Sequence, residues 1–198
     1  MRNFAAIVGG VLTSGLLFVP GLNAQAPAGA SAVPPAPPAA ATANPVVWSA
    51  NQIYARQEKF ILDSAEEMPA DKYGFHPTPD QRTFGWIVSH LAGSNGGLCA
   101  ILSDGKAQDT SKVAETASKA ELQAALKASF DFCDTVMAGL TDAKLSDTVT
   151  FFRGAKVPRA RALLEITGDL MDHYSQMAGS LRLSGLLPPS APAKKPAM

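Results

Sequence analysis

The chain has 198 residues with 17 Lys+Arg against 17 Asp+Glu, 46% hydrophobic content, two cysteines and three histidines. A net charge of zero offers no basic field to hold a polyanion, which argues against nucleic-acid binding or membrane attraction by charge. Every charge except Arg2 lies beyond residue 45, and prolines crowd both ends, so the foldable part is one domain rather than two.

The chain opens with Arg2 and an uncharged, mostly apolar run from Phe4 to Val19, which is short for a bilayer span and fits a signal peptide over residues 1–24. Small residues place the cut near Ala24, and no cysteine beside it offers a lipid attachment point. The mature protein is therefore expected to be exported, periplasmic or secreted, without an integral membrane span; an uncut signal would instead leave residues 4–23 as an anchor. Residues 25–45 are rich in Pro and Ala and poor in bulky apolar side chains, and are expected to form a disordered linker. The segment from Pro188 to Met198 repeats that character as a tail.

Between them, residues 46–187 read as helices. Ile53, Gln57, Phe60, Ile61, Ser64 and Met68 recur at threes and fours, and Pro69 stops the run. A proline-punctuated loop over 70–82 leads to Thr83, an N-cap residue, and to a second stripe of Phe84, Ile87, Val88, Leu91, Leu98 and Leu102. Ser118-Lys119-Ala120-Glu121 has the form of a capping box and precedes Leu122, Leu126, Cys133, Val136 and Leu140. Thr148 to Phe152 alternates weakly, which predicts a short hairpin before Pro158 opens a fourth helix with the stripe Leu163, Ile166, Leu170, Met177 and Leu181. Amphipathic helices of this length must bury their stripes against one another, so the fold class is all-α, a four-helix bundle.

No Cys-x-x-Cys, His-Glu-x-x-His or Gly-x-Ser-x-Gly is present, which removes the usual support for zinc-ribbon, zincin and hydrolase readings. One metal-like set remains. Asp169 and His173 stand four apart on the fourth helix, hence on one face, and His90 lies midway along the second. Three such ligands from two packed helices suit a divalent ion with open positions, while the spacing by itself more often marks a local hydrogen bond or a solvated pair. Glu165 and Gln176 are the nearby side chains that could orient a ligand. His76, in Phe-His-Pro-Thr-Pro, reads as a loop residue.

For the cysteines, a simple antiparallel pairing of the second and third helices across residues 105–117 would set Cys99 opposite residue 124. Cys133 would then lie roughly 13 Å further along the helix, too far for a bond, so no disulfide is expected and both thiols pack as small hydrophobes.

The stretch AEEMPADKYGFHPTPDQRTFGWIVSHLAGSNGGLCA and the closing DLMDHYSQMAGSLRLSGLLPPS resemble the corresponding motifs of the DinB-like superfamily over roughly residues 47–190. The resemblance implies a four-helix bundle, in some members with long crossovers, that binds a divalent metal through a histidine of helix two and a His-x-x-x-His pair of helix four. Carried over, the ligands are His90, Asp169 and His173, with Asp169 in place of the usual histidine; zinc, nickel or manganese suits that set. Some members are thiol transferases or hydrolases, so the resemblance implies a metal-dependent transferase or hydrolase acting on an unknown small molecule. The thiol cosubstrates of some relatives are cytosolic and fit an exported chain poorly. A non-catalytic binding or interaction module is the alternative, with a homodimer left open in either case.

Overall fold

The structure, a computed structural model, describes residues 38–103, 105 and 113–192; the expected signal peptide and most of the linker lie outside the described residues. Four long helices carry the fold: α2 (Pro45–Glu67), α3 (Phe84–Leu102), α4 (Lys119–Ala138) and α5 (Arg159–Leu183), preceded by a five-residue α1 (Ala39–Ala43). Between α4 and α5 stands the expected hairpin, β1 (Thr148–Thr150) against β2 (Lys156–Pro158), with Val149 opposite Val157. Its turn places Arg153 and Gly154 at positive φ. No helix among the described residues is long and apolar enough to cross a membrane.

The predicted stops and caps hold. Thr83 accepts from the Trp86 amide to cap α3, and Ser118 and Glu121 form the reciprocal capping box of α4. The orphan carbonyl of Ala65 in the last turn of α2 accepts from the Tyr73 hydroxyl at 2.6 Å and the Gln123 amide at 3.1 Å. At the other end, Asn44 and Asp142 cap reciprocally across 98 residues of chain. The Asp142 carboxylate takes the amides of Val46 and Val47 at 3.0 and 2.8 Å, and the Asn44 side chain takes the Asp142 amide at 2.9 Å.

α2 packs against α4 and α5, and α3 packs against the same two, which sets α2 and α3 across the diagonal of the bundle. The stripes meet in one core. Phe84, Phe130, Ile61, Met68, Leu91, Leu126, Ile166 and Leu170 are fully buried, each contributing about 1.5–3 kcal/mol of transfer free energy. Tyr54 meets Phe130 edge-on, and Phe60 stacks on Tyr174 at 4.9 Å.

Two expectations are corrected here. First, the folded part is longer than residues 46–187. The Ala-rich end of the expected linker forms α1, with Ala41 buried, because a run of alanines carries the highest helix propensity. Within the expected tail, Pro188 is buried and the Ser190 amide donates to the Tyr174 hydroxyl at 2.9 Å. Second, Cys99 and Cys133 form a disulfide, with Cα atoms 5.4 Å apart, and there is no free cysteine among the described residues.

The reason is the direction of α4. Gly85 lies beside Leu122, Asn95 beside Ser129 and Cys99 beside Cys133, a nearly constant offset that makes α3 and α4 parallel. The chain leaving α3 returns alongside it, where the Ser89 hydroxyl donates to the Val113 carbonyl at 2.6 Å and the Glu115 carbonyl lies against Gly85. A crossover of this kind puts the two cysteines at one level, where an antiparallel hairpin would have separated them.

Candidate metal centre

α3 and α5 run antiparallel, and their contact brings His90, Asp169 and His173 together. One potential ligand atom from each lies within 4.8 Å of the others. The His90 Nε2 is 3.5 Å from Asp169 Oδ1, the His173 Nδ1 is 3.3 Å from the same oxygen, and the imidazole rings stack at 4.5 Å. The expected convergence of the three side chains is therefore present in the fold.

The tautomer of His173 follows from its backbone partner. Its Nδ1 sits 2.9 Å from the Asp169 carbonyl oxygen, which can only accept, so Nδ1 carries the proton. In the neutral ring Nε2 then keeps the lone pair a metal would use. Asp169 is held by a third group, the Ser94 hydroxyl, which donates to its Oδ2 from one turn beyond His90. Burial favours the neutral acid, but the hydrogen bonds from His173, His90 and Ser94 outweigh it and hold the carboxyl well below its ordinary range. For His173 burial opposes charging, and the bond with Asp169 outweighs it, raising its pKa. The pair is thus biased toward a carboxylate facing the protonated Nδ1 of an imidazole.

The donor set fits a divalent ion. Three ligands of a tetrahedral zinc with bonds of about 2 Å stand roughly 3.4 Å apart, and the three candidate atoms lie within 4.8 Å of one another. Side-chain exposure rises from 10% at His173 to 20% at Asp169 and 34% at His90, so the set opens to solvent on the His90 side, where further coordination positions would lie.

Neither expected supporting residue reaches the three ligands. Glu165 is bonded by Arg161 one turn back, with Arg161 Nε at 2.9 Å, and Gln176 donates to Asp172 at 3.0 Å, so both are satisfied on their own helix surface. His76 is an exposed loop residue bonded to the Thr78 carbonyl. The residues that do support the site were missed in sequence. Ser94 orients Asp169, and the Trp86 indole stacks on His90 at 4.7 Å with an interplanar angle of 10°. Arg82 in turn lies 4.6 Å over the Trp86 ring. The available signal was the spacing: Trp86, His90 and Ser94 recur every four residues on α3 and so share one face, with Arg82 just before the helix.

The sequence profile of the DinB superfamily matches residues 53–177, which contain His90, Asp169 and His173. Among solved structures the chain is similar to a DinB-like protein from Bacillus cereus, with TM-score 0.59 and 17% identity over 73% of this chain and 97% of that one. It is also similar to a DinB-like protein from Bacillus subtilis, with TM-score 0.57 and 18% identity over 72% of this chain and 93% of that one. A third is a mycothiol-dependent maleylpyruvate isomerase, with TM-score 0.55 and 13% identity over 66% of this chain and 60% of the enzyme's. No curated protein matches the sequence. With most of its length matched by the family profile and its bundle shared with these structures, the chain belongs to the DinB superfamily.

Proposed function

We propose that the protein is an exported bundle that binds one divalent metal ion through His90, Asp169 and His173 and uses it on a small molecule, in a transferase or hydrolase reaction. The observation that carries this is the convergence of two imidazoles and a carboxylate from two helices at one solvent-facing point. Two nitrogens and one oxygen suit zinc, nickel or manganese, the carboxylate shifting preference toward harder ions. When bound, such an ion acts as a Lewis acid that makes a nucleophile available at neutral pH.

The chain's own contribution is positional. His173 is fixed in ring orientation by the Asp169 carbonyl, Asp169 by Ser94, and His90 by the indole face of Trp86. Trp86 also screens one face of His90 from water. Export is supported by the apolar N-terminal segment and by the Cys99–Cys133 bond, since disulfides persist in oxidising compartments. One observation favours the non-catalytic alternative: Asp169 is already hydrogen-bonded to His173, His90 and Ser94, a cluster satisfied without metal.

Metal content tests the metal-binding part of this reading. Protein purified from its native compartment should carry about one divalent ion per chain by elemental analysis, and His173→Ala and Asp169→Ala should each abolish tight binding. Wild-type protein that stays metal-free after equilibration with zinc, nickel and manganese would refute the proposal.

A further inference from the structure

Arg82 stands just before α3, on the same four-residue spacing as Trp86 and His90, and its guanidinium lies 4.6 Å over the Trp86 ring. It is exposed, and among the described residues it has neither a carboxylate partner nor a hydrogen bond. A guanidinium that uses its face on an aromatic ring keeps its in-plane N–H donors for another partner, and their fork matches a carboxylate. A long, flexible side chain is here held on a platform that itself stacks on a candidate metal ligand.

The groove beside it is shaped to take such a partner. Antiparallel packing of α3 and α5 puts His90 against His173, and the same two helices continue past that contact toward the start of α3. There a cavity of about 260 Å³ is lined by Gln81, Arg82, Ile87, Ser175, Gln176 and Gly179 among others. Gly179 leaves its wall open, and Ile87 gives it an apolar floor. The lining offers one unpaired cation and two carboxamides and contains no carboxylate. One of those carboxamides, Gln176, donates to the Asp172 carboxylate on α5 at 3.0 Å.

We propose that this cavity is a carboxylate subsite and that Arg82 is its specificity-determining residue, so that the substrate is a small carboxylic acid whose charged end pairs with Arg82 while its other end reaches His90, Asp169 and His173. This rests on the metal reading for the reacting end only. Carboxylate recognition needs the stacked guanidinium and the groove, not the ion.

The test uses ω-mercaptocarboxylates of two to ten carbons and their methyl esters as probes. The thiol has affinity for the metal, and the chain length measures the span to Arg82. Binding is followed by calorimetry, and by Trp86 fluorescence in a Trp48→Phe background, with zinc stoichiometry measured beforehand. In zinc-loaded protein the acid should bind about tenfold or more tightly than its ester at one favoured chain length. Arg82→Gln should bring that ratio close to one and leave zinc stoichiometry unchanged. Equal affinities for acid and ester, or a ratio that survives Arg82→Gln, overturns the subsite. If wild-type protein takes up no zinc, the metal reading has failed separately, and the same comparison is made on metal-free protein. There an acid preference abolished by Arg82→Gln upholds the subsite, and no preference overturns it.

Discussion

Removing the Cys99–Cys133 bond should cost the bundle a large share of its stability. The two cysteines are 34 residues apart in sequence, and that loop includes the whole return crossover from α3 to α4. Closing a loop of this length in the unfolded chain corresponds, in the chain-entropy treatment, to about 4 kcal/mol at room temperature. For a domain of this size each kcal/mol moves the melting temperature by about 2–4 °C. The double variant Cys99→Ala/Cys133→Ala should therefore melt roughly 8–16 °C lower and unfold at a clearly lower urea midpoint. Circular dichroism at 222 nm follows the helices, and intact mass under non-reducing conditions must first show wild-type protein two units below its reduced mass. Reducing agent should lower the wild type toward the variant and leave the variant unmoved. A wild type with two titratable thiols, or a verified disulfide whose loss costs less than about 1 kcal/mol, would refute the reasoning.

Gly85 sits where the crossover passes over α3, and a Cβ there would stand 2.7 Å from the Glu115 carbonyl oxygen and 3.3 Å from that of Tyr73. Both neighbours are backbone, so Gly85→Ala should destabilise by about 1–3 kcal/mol in urea unfolding; an unchanged midpoint would show that the crossover does not lie on this helix. Glu58 has its pKa pushed up to about 7, by burial first and then by the charges of Asp134 and Asp131. Its folded pKa exceeds the ordinary 4.5, so the folded state holds the proton more tightly. The stability this contributes is complete below about pH 4.5 and is lost as pH rises through about 7. Discounted for a half-exposed side chain, Glu58→Gln should gain roughly 1 kcal/mol at pH 7.5 and flatten the decline between pH 5 and 7.5; equal pH profiles for the two proteins would contradict it.

The helices were legible because each carries an apolar stripe of the right period and visible punctuation: Pro69 after the first, Thr83 before the second, the Ser118–Glu121 box before the third. The candidate ligands were legible through scarcity, since only three histidines exist and only His173 stands four residues from an aspartate within one helix. Helix direction was not legible. A stripe says which face is buried and nothing about which end the next helix starts from, and the chain between Leu102 and Lys119 is long enough either to turn at once or to run back the length of α3. The disulfide was missed for that reason alone, since it depends on the relative direction of two helices whose faces were both read correctly. Ser94 was hidden differently: a lone serine inside a helix has no pattern until a carboxylate from another helix arrives beside it. The folding of Ala39–Ala43 escaped notice because the prolines before it dominate the composition of that stretch.

The reciprocal cap between Asn44 and Asp142 fixes where the chain enters the bundle. Those residues lie at the end shared by the start of α2, the close of α4 and the start of α5, where Arg159 donates to the final carbonyl of α3. His173 stands 14 residues further along α5, about 20 Å up the helix axis, and the Arg82 cavity lies beyond it toward the opposite end. The chain that enters at Asn44 therefore joins the bundle at the end remote from His90, His173 and the Arg82 cavity, and the anchoring contacts of that entry are separate from the contacts that build the site.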